Sequence, residues 1–153
     1  MSVRQATAAD VPTLARLNRL VQEIHVAAEP EVFRMPTVSE VAAFFRKALS
    51  DVEMRAYVAE EEDVAVGYLL AAVRQRQEDA FRRGYRWFQI DQISVDPACQ
   101  RQGHGRALLS AALDGAREAG IQGVETGVWA FNEPSLSFFE DQGFLPASLR
   151  LRR

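Results

Sequence analysis

Residues 87–119 carry the pattern that most constrains how this chain can fold. Trp87-Phe88-Gln89-Ile90-Asp91-Gln92-Ile93-Ser94-Val95 has the composition of a strand. Regular alternation would put Gln89, Asp91, Ile93 and Val95 on one face and Phe88, Ile90, Gln92 and Ser94 on the other. A turn follows, Gln100-Arg101-Gln102-Gly103-His104-Gly105-Arg106. Leu108, Leu109, Ala112, Leu113, Ala116 and Ala119 then recur at helical spacing, with Gly120 where a left-handed C-terminal cap is common. The predicted order is strand, glycine-rich turn, helix.

The first turn of a helix leaves backbone N–H groups unpaired, and the helix dipole places partial positive charge there. Glycines at 103 and 105 keep Cβ atoms away from an incoming anion, and Arg101 and Arg106 can add charged contacts, so a phosphate or pyrophosphate fits this turn. The same glycines would also ease a tight strand-to-helix turn that binds nothing. Two familiar phosphate loops are excluded by spacing. Gly105 is followed by Arg106-Ala107 rather than Lys-Ser/Thr, and Leu108 stands where a Rossmann fingerprint needs its third glycine.

Val95-Asp96-Pro97-Ala98-Cys99-Gln100-Arg101-Gln102-Gly103-His104-Gly105-Arg106-Ala107-Leu108-Leu109 resembles the acetyl-CoA-binding motif of the GCN5-related N-acetyltransferase (GNAT) family, Arg/Gln-x-x-Gly-x-Gly/Ala, with Gln100, Gly103 and Gly105 in its fixed positions. Asn132 through Gly143-Phe144 resembles the family's later signature, an asparagine, a short helix and a Gly-Phe pair. The resemblance implies a mixed α/β (α+β) fold: one domain over residues 1–153, with a mostly antiparallel central sheet and helices on both faces.

It also implies acetyl-CoA as cosubstrate. The pyrophosphate would lie on the N–H groups of Arg101, Gln102, Gly103, His104, Gly105 and Arg106, and the pantetheine arm along Ile93, Ser94 and Val95. Asn132 would face the arm and Phe138 pack beside it. The implied acceptor is a small-molecule or peptide primary amine, attacking the thioester directly in a ternary complex, and a homodimer is compatible with the family. The region between the first two helices commonly serves the acceptor, which singles out Glu29, Glu31 and Phe33; acidic and aromatic loop residues also occur as plain surface and packing features. The alternative from another functional class is an acyl-CoA-binding regulatory domain without turnover.

An alkyl amine has a pKa near 10 and must lose a proton before it attacks. Asp91, assigned by alternation to the face of Ile93 and Val95, is the candidate base, acting directly or through water; the competing role for such a carboxylate is to hold an arginine or a turn. Gln89 can orient a water but cannot act as a base. Seven residues after the motif asparagine, many family members carry a tyrosine that protonates the leaving thiolate, and this chain has Phe139. Tyr68 or Tyr85 can replace it only if the fold brings one of them to the sulfur.

The remaining elements follow from local patterning. Val3 to Thr7 reads as a strand, and Asp10 as the cap of a helix carrying Val11, Leu14, Leu17, Leu20, Val21 and Ile24, with His25 at its end as a helix-terminal cation or, less simply, a base. Thr37-Val38-Ser39-Glu40 is a capping box opening a second helix to about Leu49. Met54 to Glu60 and Val64 to Arg74 form a hairpin through Glu61-Glu62-Asp63, and Gln75 to Arg86 is a long connection. Val124 to Ala130 reads as a strand, Pro134 to Gln142 as a short helix, and Phe144 to Leu151 as a last strand.

A net charge of −3 gives no general reason to bind nucleic acid, and no run approaches the roughly 18 apolar residues of a membrane span. Met1 to Asp10 lacks the apolar core of a signal peptide. Cys99 stands alone, so neither an intrachain disulfide nor a metal cluster is expected, and the expected location is cytoplasmic.

Overall fold

The computed structural model describes all of residues 1–153. β1 (Ser2–Gln5) leads through a short 3-10 turn into α1 (Val11–Ala28) and then α2 (Val38–Ser50); β2 (Met54–Glu61), β3 (Val64–Arg76) and β4 (Tyr85–Val95) follow, then α3 (His104–Glu118), β5 (Gly123–Thr126) and α4 (Glu133–Asp141). The five strands make one sheet in the order β1-β2-β3-β4-β5, antiparallel except for the β4–β5 pair. No helix is long and apolar enough to cross a membrane.

Helices cover both faces because both faces of the central strands are apolar. On one side Leu69, Phe88 and Ile90 pack with Leu108, Leu109 and Ala112 of α3. On the other, Val58, Tyr68 and Leu70 pack with Leu14 and Leu17 of α1 and Phe45 of α2. The β2–β3 hairpin turns through Glu62 and Asp63, both at positive φ (49° and 64°), a geometry that matches the right-handed twist of the flanking strands. At α2 the capping box is complete: the Glu40 N–H donates to Thr37 Oγ1 at 3.1 Å and the Thr37 N–H donates to the Glu40 carboxylate at 2.8 Å.

Four sequence-based expectations change. Asp10 does not cap α1 with its side chain. It accepts from the Thr7 N–H at 2.7 Å and from two Arg4 nitrogens at 2.9 Å, and that guanidinium holds its carboxyl below the usual carboxylate range. β5 stops at Thr126 instead of reaching Ala130. Residues 144–153 form no strand: Leu145, Leu149 and Leu151 are 87–90% exposed, and the segment pairs with neither the outer edge of β5 nor the open stretch of β4.

The fourth change concerns β4. Leu70 pairs with Gln92 while Ala71 pairs with Ile90, so Asp91 is an extra residue, a β-bulge. Alternation resets there. Ile93 and Val95 share the α3 side of the sheet with Phe88 and Ile90, whereas Ser94 and Gln92 reach α1, and Asp91 leaves the face of Ile93 and Val95 to which simple alternation assigned it.

Candidate functional site

The turn between β4 and α3 is built by local hydrogen bonds. Asp96 Oδ1 accepts from the Ala98 N–H at 3.0 Å, and Gln100 Nε2 donates to the Val95 carbonyl oxygen at 3.1 Å. Arg101 (φ 61°) and Gly103 (φ 91°) are both left-handed, so the chain reverses sharply and α3 starts at His104 with Gly103 as its N-cap. No side chain caps this helix, which leaves the N–H groups of its first turn for a ligand. Arg101, Gln102 and Arg106 are exposed around them.

The two motif glycines do different jobs. Gly103 permits the left-handed turn, while a Cβ on Gly105 would touch the Phe138 ring at 3.4 Å, so Gly105 lets α4 lie close to α3. Phe138 thereby packs beside the turn. His104 is 1% exposed and its ring nitrogens have no hydrogen-bond partner, Nε2 lying 3.6 Å from Glu61 Oε2; what it can offer an anion is its backbone N–H.

Pairing between β4 and β5 ends at Ile90 and Thr126, so residues 91–95 have no strand partner on that side. Ser94 contributes only backbone to this open edge, because its hydroxyl is buried and donates to the Leu17 carbonyl oxygen at 3.0 Å. Where the strands part there is a cavity of about 240 Å³. Its floor is Asp91, Gln92 and Ile93; its walls come from α1, from the segment after β5 and from the start of α4.

Asp91 is paired with Arg74 (Nη2 to Oδ2, 3.0 Å), its side chain is 26% exposed, and burial pushes its carboxyl above the usual value despite that arginine. A cleft carboxylate with a raised pKa is suited to accept a proton. Next to it, Asn18 Nδ2 donates to Tyr68 Oη at 3.1 Å and Tyr68 Oη donates to Gln92 Oε1 at 2.8 Å, which ties α1 to β3 and β4. Gln92 Nε2 and Asn18 Oδ1 keep free hydrogen-bonding capacity at the cavity. Removing the buried hydroxyl in Tyr68→Phe leaves the two amides only their direct contact, Asn18 Nδ2 to Gln92 Oε1 at 3.4 Å, and should lower stability by about 1 kcal/mol, measurable by denaturant unfolding.

The structure sorts the sequence candidates. Phe33 lines the cavity, but Glu29 and Glu31 do not: Arg152 takes the Glu29 carboxylate at 2.8 Å, and Glu31 is exposed. Asn132 lines it and also caps α4, its Oδ1 accepting from the Ser135 N–H at 3.3 Å. Gln89 is drawn off to Trp87, whose Nε1 donates to it at 2.9 Å, and stays outside the cavity. Phe139, 3% exposed, lines the cavity between Phe138 and Phe144. Neither tyrosine replaces it there: Tyr68 is buried in the amide network, and Tyr85 stacks on Trp87 at the far end of β4.

Asn18 and Gln22 line the cavity and went unrecognised in the sequence, and His25, read there as a helix-terminal cation or a base, lines it with them. The three sit at i, i+4 and i+7 of α1, a polar stripe on one helical face, and that spacing was the available signal. Trp129, also a lining residue, lies in the irregular segment after β5, where no periodicity marks it. No group of three or more His, Cys, Asp or Glu side chains is placed to hold a metal ion.

Residues 18–144 match the Acetyltransferase (GNAT) family. The L-amino acid N-acyltransferase MnaT of Escherichia coli is 30% identical over 95% of this chain and 80% of its own length. The [ribosomal protein bS18]-alanine N-acetyltransferase of E. coli is 40% identical over 38% of this chain; the aligned part spans about two-fifths (39%) of that relative's length. Among solved structures, a tetramutant of the BH1408 protein from Bacillus halodurans superposes with a TM-score of 0.94 at 22% identity, covering 100% of this chain and 99% of that one. The aminoglycoside N-acetyltransferase AAC(6')-Iy in complex with CoA superposes with a TM-score of 0.81 at 16% identity, covering 99% and 92%. An uncapped helix start after an open-edged strand, and a family match running from α1 to the end of α4, lead to one assignment: this chain belongs to the GNAT family of acetyltransferases.

Proposed function

We propose that this protein transfers an acetyl group from acetyl-CoA to a primary amine held in the cavity beside Asp91, by direct attack in a ternary complex. The observation that carries this reading is the end of β4–β5 pairing at Ile90 and Thr126, which opens strand backbone between an anion-binding turn and a cavity with a proton-accepting carboxylate. Acetyl-CoA supplies the activated acyl group as a thioester.

The first-turn N–H groups of α3, with Arg101 and Arg106, bind the pyrophosphate, and the open backbone of Ile93 to Val95 orients the pantetheine arm. The turn carries no cation other than arginines, and the cradle is wide enough: the nearest atom to a Cβ on Gly103 would be Met1 Cε at 3.7 Å. Asp91 takes a proton from the amine, directly or through water. The amine nitrogen bonds to the acetyl carbon, the carbon–sulfur bond breaks, and CoA leaves as thiolate. Phe139 has no proton to give, so the thiolate is reprotonated from water.

Phe139 is also the observation that favours the second reading, an acyl-CoA-binding regulatory domain. Two measurements separate the readings. CoA at about a hundred times its dissociation constant should stabilise the fold by roughly 2.7 kcal/mol, seen as a thermal shift; its absence at saturation rejects the cofactor site. Acceptor-dependent release of free CoA, rising with pH as more amine is deprotonated, is expected of the enzyme, whereas tight CoA binding without turnover across amines, amino acids, aminoglycosides and peptides selects the regulatory domain.

A further inference from the structure

Four aromatic rings close a circuit along one wall of the cavity. His25 meets Phe33 edge-on with centroids 4.9 Å apart, Phe33 meets Trp129 at 5.0 Å, Trp129 lies nearly parallel to Phe131 at 6.2 Å, and Phe131 returns to His25 at 5.5 Å. The rings come from three segments: the end of α1, the loop before α2 and the stretch after β5. His25, Phe33 and Trp129 line the cavity. All four rings are half-buried and none belongs to either hydrophobic core, so the quartet leaves aromatic surface uncovered that a structural cluster would bury.

The charges around it are sparse. The cavity lining holds one carboxylate, Asp91, and no lysine or arginine. Arg74 is engaged with Asp91, and Glu29 is engaged with Arg152. A polycation finds one carboxylate here, and an amino-acid carboxylate finds no cation within the lining; Arg150, stacked over Trp129 at 5.5 Å, is the one cation that touches the quartet. The volume of about 240 Å³, below the range of about 300–1,000 Å³ usual for drug-sized ligands, suits a small occupant.

We infer that the acceptor is a small arylalkylamine, its flat ring lodged against Phe33, Trp129 and His25 and its single amino group directed to Asp91. This narrows the amine-acetylation reading and rests on it. The quartet supplies edge and face contacts to the ring, Asp91 receives the amine proton, and the lack of a cation in the lining disfavours acceptors that carry a carboxylate beside the amine.

The test is CoA release by the full chain with acetyl-CoA and four acceptors: 2-phenylethylamine, phenylalanine, n-butylamine and kanamycin. The kcat/KM for 2-phenylethylamine should exceed each of the others by about tenfold or more, and Phe33→Ala should raise its KM by about tenfold while CoA still shifts the melting temperature. The conservative Phe33→Leu should recover part of the loss. Faster turnover of phenylalanine, which would recruit Arg150, or of kanamycin overturns the proposal and leaves acetyl transfer standing. Unchanged KM for 2-phenylethylamine in both Phe33→Ala and Trp129→Ala also overturns it. If no amine releases CoA, calorimetric titration of 2-phenylethylamine into CoA-loaded protein decides: binding that Phe33→Ala weakens keeps the aromatic site and rejects transfer, and no binding rejects both.

Discussion

Asp91→Asn is expected to lower turnover of an amine acceptor by roughly 10²–10⁴-fold, the range for a lost general base, while CoA affinity stays near that of the unsubstituted protein. The carboxylate lies in the cavity, and burial raises its pKa against the opposing pull of Arg74. Two pH effects follow. The base works only when ionised, so kcat/KM should rise as pH passes through the raised carboxyl pKa, and the Asn variant should lose that inflection. The deficit should also shrink at high pH, where solution already supplies neutral amine.

Stability has the opposite sign. A carboxyl whose folded pKa is raised favours the fold below its unfolded pKa, and that contribution is lost as pH rises through the folded value. At neutral pH the ionised Asp91 is therefore a burden, eased only in part by Arg74, whose side chain is half exposed and can turn to water. Asp91→Asn should melt no lower than the unsubstituted protein at pH 7. Turnover and pH profile unaltered by this substitution would eliminate Asp91 as the base and move the role to water held by Asn18 and Gln92.

Gly103→Glu is expected to weaken CoA binding by more than about 100-fold, read by calorimetry. Two costs combine. At φ 91° a residue with a Cβ is strained by roughly 1–2 kcal/mol, and a carboxylate at the uncapped start of α3 opposes the pyrophosphate by several kcal/mol more. Gly103→Asn separates them, because asparagine tolerates positive φ and brings no charge; it should retain much of the affinity. Wild-type affinity in Gly103→Glu would move the anion away from this turn.

Local chemistry made much of this protein legible from its residues. The Thr37–Glu40 box opens α2, the Glu62-Asp63 reversal joins β2 to β3, and the order strand, glycine turn, helix leaves α3 with an uncapped start; each depends on backbone groups a few residues apart, and short-range spacing records them. The mixed sheet with helices on both faces was expected from the element order and the family resemblance, and the central strands, apolar on both faces, are covered on both.

What the spacing did not contain was set by long-range pairing. A strand pattern over Phe144 to Leu151 becomes a strand only where it pairs, and this segment pairs with neither the outer edge of β5 nor the open stretch of β4. The face on which Asp91 lies was decided by β3: pairing of Leu70 with Gln92 and Ala71 with Ile90 forces the bulge, and one extra residue reverses an assignment made from period-two alternation. Phe33 and His25 were marked in the sequence, but their meeting with Trp129 in one cavity wall was not, because the three occupy separate segments that come together only when α1 and the chain after β5 close over the open edge of β4. Legible from the residues were the glycine turn with its uncapped helix and the apolar runs that build the core, both products of local backbone geometry and apolar periodicity. Packing of the whole chain set where the Asp91 carboxylate points and which segments line the cavity, because strand register and the meeting of distant segments are properties of the packed chain.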